Sequence, residues 1–414
     1  MTATTPPSAR SPRSPSRLAR GVILAASTLT LMAAAIIAPG LPAMREEFAG
    51  SPGADLLVRF VLTITSLAIA LSAPASGLVA DRLGRRTLLV SSLVLYAFSG
   101  TGGFFAGDLY TLLGTRALLG VAVGGIMTAV SATLTDWFDG PRRASFLGLQ
   151  QAFASLGGVV FLPLGGLLAT VDWRAPFWLY AVSAAVAVFA VVALRDEPRL
   201  EHGTALDQPR PSQPGGMRRI AGVYVVALAA TLVFYMAPTQ LPFLLGDFGS
   251  GPTVVGAVIA GSTLSGTAGA LAFPALRRRW STTSITTLGV GLLGAGWLLV
   301  GTADTVEQVL AGMLVGGVGV GLVVPNLNLR LSELARPAQR GRVLSGLVTG
   351  IFLGQFLSPL AVQPLVRTTS LADAFTWTGI ALTVGAALIA VVALATAGPT
   401  PPPRKQNSRE EVPR

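Results

Sequence analysis

No cysteine occurs in this chain, and histidine occurs once, at His202. The first absence excludes disulfides, thiolate metal sites and cysteine nucleophiles, and the second excludes zinc and histidine-based catalysis. Charge is scarce too. Asp, Glu, Lys and Arg make up 12% of the 414 residues, against roughly 25% in a soluble domain. None of the 19 carboxylates falls in the middle of an apolar run. The nearest are Glu46, Glu47, Asp55, Asp108 and Glu307 at one set of run ends, and Asp136 and Glu333 at the other. No glycine–lysine phosphate loop is present, which excludes an ATP-driven pump.

What the chain has is apolar length. Hydrophobic residues make up 51%, and the mean hydropathy is +0.65. Runs of about 20 apolar residues identify membrane-spanning helices. Twelve spans are expected, at 21–43, 57–80, 87–106, 109–134, 144–169, 174–194, 220–244, 253–276, 282–302, 305–332, 342–366 and 372–396. The expected fold class is therefore an all-α membrane protein. Residues 1–20 and 397–414 read as disordered tails, and 195–219 as a polar linker between residues 21–194 and 220–396.

The basic residues set an orientation. They gather in the tails, the linker and alternate connecting segments, while only Arg45, Arg59, Arg174 and Arg367 lie in the others. The positive-inside rule then puts both termini in the cytoplasm of a cell-membrane protein. The net charge of +11 faces an anionic leaflet, so nucleic acid is not expected as a partner.

Six spans repeat as six. Ala38-Pro39 in span 1 returns as Ala237-Pro238 in span 7. The glycine run at 120–125 in span 4 returns at 316–321 in span 10, and Pro163 in span 5 returns as Pro359 in span 11. Halves repeated in parallel suit a secondary transporter.

The loop between spans 2 and 3 reads Gly77-Leu78-Val79-Ala80-Asp81-Arg82-Leu83-Gly84-Arg85-Arg86. Gly77 permits a close helix approach, Gly84 a turn at positive φ, and Asp81 a pair with an arginine or a helix cap. Gly77, Asp81, Arg82, Gly84, Arg85 and Arg86 resemble the signature loop of the major facilitator superfamily, with a departure around Leu78. The resemblance covers about residues 20–397. It implies alternating access, with Asp136, Arg142 and Arg143 joining that loop in a gating charge cluster.

By the same resemblance spans 1, 4, 7 and 10 line a central cavity. Arg116, with Gly120 after it, resembles the family's cavity arginine; its alternative is a cation that snorkels to water. Thr28, Met32, Tyr235, Gln240, Asn326 and Asn328 are the other expected cavity residues, beside a mostly apolar wall of Phe234 and Met236. Gly158, Pro163, Gly165 and Gly166 resemble the helix-5 motif of the drug/proton antiporter branch, although Leu162 replaces a glycine there. Glu46, Glu47 and Asp108 are the proton-coupling candidates. The implied function is export of a small organic or drug-like molecule by proton antiport, from a monomer without cofactor or metal. Carriage of an organic anion on Arg116, carriage of a sugar, and a non-transporting receptor or scaffold are the alternatives.

Overall fold

A computed structural model describes residues 15–194, 216–335 and 340–396. Most of the expected linker (195–219), residues 1–14 of the first tail and all of the second lie outside the described residues. Twelve helices there are long and apolar enough to cross a membrane. In order they are Arg17–Glu47, Ala54–Leu83, Arg85–Phe105, Leu109–Trp137, Ser145–Ala169, Ala175–Ala193, Met217–Asp247, Pro252–Arg277, Thr282–Gly301, Val306–Leu334, Val343–Thr368 and Leu371–Val392, called spans 1 to 12 below. Two expected boundaries move. Span 1 begins at Arg17 because Ser16 caps it, its hydroxyl accepting the Ala19 amide at 3.0 Å. Helix also resumes at Gly216, inside the expected linker.

Spans 1 and 7 share an interruption. Span 1 is helical to Ala35, passes through a short 3-10 turn at Ala38–Gly40, and continues as Leu41–Glu47. Span 7 is helical to Phe234, breaks at Tyr235, and continues as Met236–Asp247. Pro39 and Pro238 explain the coincidence, since proline removes a backbone donor and crowds the preceding turn. Both broken ends point to the arginine-poor end of the molecule, where they touch each other.

The same pairings recur in each half. Span 2 packs on span 4, 3 on 4, 3 on 6 and 1 on 5; correspondingly span 8 packs on 10, 9 on 10, 9 on 12 and 7 on 11. Small residues permit this closeness where no hydrophobic effect drives helices together. A Cβ on Gly120 would come within 2.4 Å of the Thr65 carbonyl oxygen in span 2. One on Gly317, the equivalent place in span 10, would come within 2.5 Å of the Ser262 carbonyl oxygen in span 8. The outward faces carry exposed Val188, Val192, Leu388 and Val391, as a surface solvated by lipid tails requires.

Candidate functional site at the boundary between the halves

The two sets of six meet through span 5 against span 8 and span 2 against span 11. On the first seam, a Cβ on Gly166 would meet the Pro252 carbonyl oxygen at 2.5 Å, and one on Gly256 the Leu162 carbonyl oxygen at 2.5 Å. On the second, Phe60 stacks on Phe356 with centroids 5.5 Å apart, and Ser66 donates to Gln355 Oε1 at 2.7 Å.

Both seams open toward the arginine-rich end. The face of span 2 that carries Phe60 continues at helical spacing through Leu71 and Leu78, which are 70% and 65% exposed. The face of span 8 that carries Gly256 and Thr263 continues to Leu271 and Pro274, both exposed. The halves are thus joined from mid-span to the arginine-poor end and diverge beyond.

The closed end is held by a residue the sequence did not single out. Arg59, in the second turn of span 2, is 3% exposed. Its Nε donates across the boundary to Gln240 Oε1 at 3.0 Å, and its Nη1 to the Asp55 carbonyl at 2.6 Å. Its guanidinium carbon lies 4.3 Å from the centre of the Phe243 ring, and that of Arg45 lies 5.1 Å from the same ring. Gln240 is 1% exposed, and its Nε2 has no partner. Arg59 had the look of an interfacial charge, because only the break in span 7 brings Gln240 and Phe243 over it. An arginine more than one turn inside a span was the available signal.

Arg116 does not face this boundary. It is wholly buried inside the first half, donating from Nη2 to the carbonyls of Ser99 (3.0 Å) and Gly100 (2.8 Å). Its guanidinium lies against the rings of Phe177 and Tyr180. The expected cavity arginine is therefore a tie between spans 3, 4 and 6, and no snorkelling cation either. Gly120 serves packing. Asn326 likewise turns inward on its own half, donating to the Thr282 carbonyl and Thr286 Oγ1 in span 9. Asn328 is exposed and donates to the carbonyl one turn back, at Val324. Thr28 makes the same kind of bond to Ala25, and Met32 is buried in the core. Phe234 stacks on Trp297 inside the second half. Of the expected cavity residues, Gln240 crosses the boundary and Tyr235 lies beside Ser66 on it. An apolar cavity among Ala227, Thr231, Val320, Leu327, Leu347 and Ile351 holds about 10 Å³, room for little beyond a water molecule.

The helix-5 residues do meet the other half. Gly158 faces Leu31 and Thr263, and Gly166 faces Pro252, while Gly165 packs on Ile36 of span 1. Pro163 lies against Gly256.

At the arginine-rich end, Arg85 Nε pairs with Asp136 Oδ2 at 2.9 Å. Arg86 donates to the Val191 carbonyl, and Arg143 to those of Thr135 and Phe138, covering the end of span 4. Gly84 turns the chain at φ 91°, as glycine readily does. Asp81, Arg82 and Arg142 are exposed. The second half repeats the arrangement more loosely, with Arg277 and Glu333 3.9 Å apart. Gly77 is a correction: a Cβ there meets nothing within 4 Å, because the seam has already opened at its level.

The proton-coupling candidates all lie exposed at span ends. Asp108 is fully exposed and caps span 4. The Thr111 hydroxyl first, then the amides of Thr111 and Tyr110, hold its carboxyl below the ordinary range. Glu47 is exposed and pairs at 3.3 Å with Arg174, which lies over Trp173. Glu46 is exposed at the same end. No Asp or Glu is buried among the described residues.

Twelve membrane-spanning helices in two pseudo-repeated sets of six, joined along a seam closed at one end, define a secondary transporter fold. The Major Facilitator Superfamily profile matches residues 23–359 and 223–414, and the chain belongs to that family; it is a transporter and not an enzyme. It is 26% identical over 385 residues to "Tetracycline resistance protein, class C" of Escherichia coli, covering 89% of this chain and 94% of that one. It is 25% identical over 298 residues to the 3-(3-hydroxy-phenyl)propionate transporter of Escherichia coli (strain K12), covering 71% of each. A solved D-xylose–proton symporter shares the fold with a TM-score of 0.73 at 16% identity, covering 90% of this chain and 96% of that one.

Proposed function

We propose that this chain exports a small organic molecule across the cell membrane by alternating access. The observation that carries the reading is the seam, closed around Arg59 and open at the arginine-rich end. By the positive-inside rule the arginine-rich end, with both termini, faces the cytoplasm. The conformation is then the one that loads solute from inside. Residues 21–194 rock against 220–396 as a monomer, with 195–219 as tether, and the neutral, breakable contacts of the closed end separate in the other state. Export is supported by likeness along most of the chain to a tetracycline resistance protein. Proton antiport belongs to the proposal through the family resemblance alone, since the spans hold no buried carboxylate among the described residues. The anion reading built on Arg116 loses its residue, because that guanidinium is wholly buried inside the first half against two carbonyls and two rings.

The test is solute movement in proteoliposomes of the purified chain, with internal pH followed at the same time. Solute flux together with counter-movement of protons supports antiport. Flux without proton movement removes antiport and leaves export unpowered by protons. Absence of flux for cationic, neutral and anionic solutes alike removes the transport reading.

A further inference from the structure

We infer that the exported solute carries an acidic group, and that Arg59 is the residue that binds it as the closed end opens. The inference rests on the transport reading above. Among the described residues only Arg59 and Arg116 are buried charges, and no carboxylate is buried. Arg116 is engaged wholly within one half. Arg59 lies on the surface along which the halves must part, and two of its contacts belong there: Gln240 Oε1 and the Phe243 ring.

The charges acting on Arg59 are Asp55, Arg45 and Arg367, so one carboxylate faces three guanidiniums. None of the ion pairs formed among the described residues includes Arg59. Its partners across the boundary are a neutral amide and a ring, and both are lost when span 7 withdraws. A guanidinium freed in a narrow passage beside two others is best satisfied by a carboxylate, which accepts two parallel N–H bonds from it. Gln240 adds a donor at the same place, since its buried Nε2 has no partner in the closed state. A cationic solute meets the opposite situation: no buried carboxylate to receive it, and three guanidiniums beside the single carboxylate of Asp55 around Arg59. An aromatic or alicyclic acid suits the site, with Phe243 as the surface for its ring.

The experiment compares three solutes of one shape, 2-naphthoate, 2-naphthamide and 2-naphthylmethylammonium, in proteoliposomes of the full chain. The wild-type chain should move the acid about tenfold or more faster than the amide, the factor expected of a charge-assisted hydrogen bond, and the cation slowest. Arg59→Gln should bring the acid-to-amide ratio near one, and Arg59→Lys should retain part of it. A merely structural latch would change all three rates together and leave the ratio alone. Gln240→Glu is the second variant, independent of whether Arg59→Gln folds; it gives Arg59 an internal carboxylate and should abolish the preference for the acid. Wild-type preference for the amide or the cation overturns the inference, as does an acid preference that survives Arg59→Gln or Gln240→Glu. Movement of none of the three, nor of any solute in the wider panel above, overturns the transport reading and this inference with it.

Discussion

A buried arginine is costly in a membrane, and the two here meet that cost differently. Arg116 is held within its own half through Nη2, with Nη1 left without a partner, and its loss should be felt as stability. Arg116→Leu removes the side-chain donor to the Ser99 and Gly100 carbonyls and should cost about 2–4 kcal/mol. The thermal midpoint in detergent should fall sharply, while the relative rates for different solutes in the surviving fraction stay as they were. Asp108 illustrates the opposite error of reading a charge as chemistry. Its carboxyl is held below the ordinary range by Thr111 and the start of span 4. A depressed carboxyl contributes stability that is complete above the unfolded value near 4 and is lost as pH falls through the lower folded value. Nothing changes in its ionisation from roughly pH 5 to 8. Asp108→Ala should therefore lower stability through loss of a cap and leave the pH profile of transport unmoved. A shifted profile would restore Asp108 as a coupling residue. At this scale the sequence was least legible. Arg116, Asn326 and Arg59 are all polar residues in apolar runs, and which way each points depends on helix rotation and on neighbours far away in the chain. Gln240 was recognised as a cavity residue, but its partner 181 positions away was not.

Among the helices, glycine marks contact and proline marks breaks. The two did not serve equally as signals. The recurrence of Pro39 as Pro238 and of the glycine run of span 4 in span 10 announced the repeat; the broken ends of spans 1 and 7 and the packing of span 4 on span 2 fall at those residues. Those features are local, or repeat at a fixed offset, so the sequence carries them openly. Gly77 and Gly166 looked alike in the chain and differ in the structure. A side chain at 166 runs into the Pro252 backbone of the other half, whereas one at 77 meets open space. Gly166→Val should wedge the seam of spans 5 and 8 apart and shift the molecule away from the closed state. In a cysteine-free background, a cysteine at buried Thr239 should then react faster with a membrane-impermeant maleimide. Gly77→Ala should leave both that labelling rate and the thermal midpoint unchanged. Faster labelling in Gly77→Ala would mean that the seam closes at its level in this conformation as well. The Arg85–Asp136 pair, about one-third exposed on each side, should contribute under about 1 kcal/mol. Its neutralisation belongs to turnover rather than stability.

For the whole molecule, composition and periodicity settled most of the architecture. Twelve apolar runs, a skewed distribution of arginine and an internal repeat suffice for twelve spans in two sets of six. The conformation was not legible. It depends on how the two halves pack against each other, through pairs as far apart in the chain as Arg59 and Gln240. The most direct test of the account is a pair of distance distributions from spin labels on introduced cysteines, which the cysteine-free chain makes simple. One pair, Gly50→Cys with Gly246→Cys, spans the arginine-poor end; the other, Leu83→Cys with Arg279→Cys, spans the arginine-rich end. The account predicts a short distance at the first and a long one at the second, exchanging in opposite directions when solute is added or Arg59 is replaced by Gln. Distances at both ends that stay single and unmoved under every condition would contradict it.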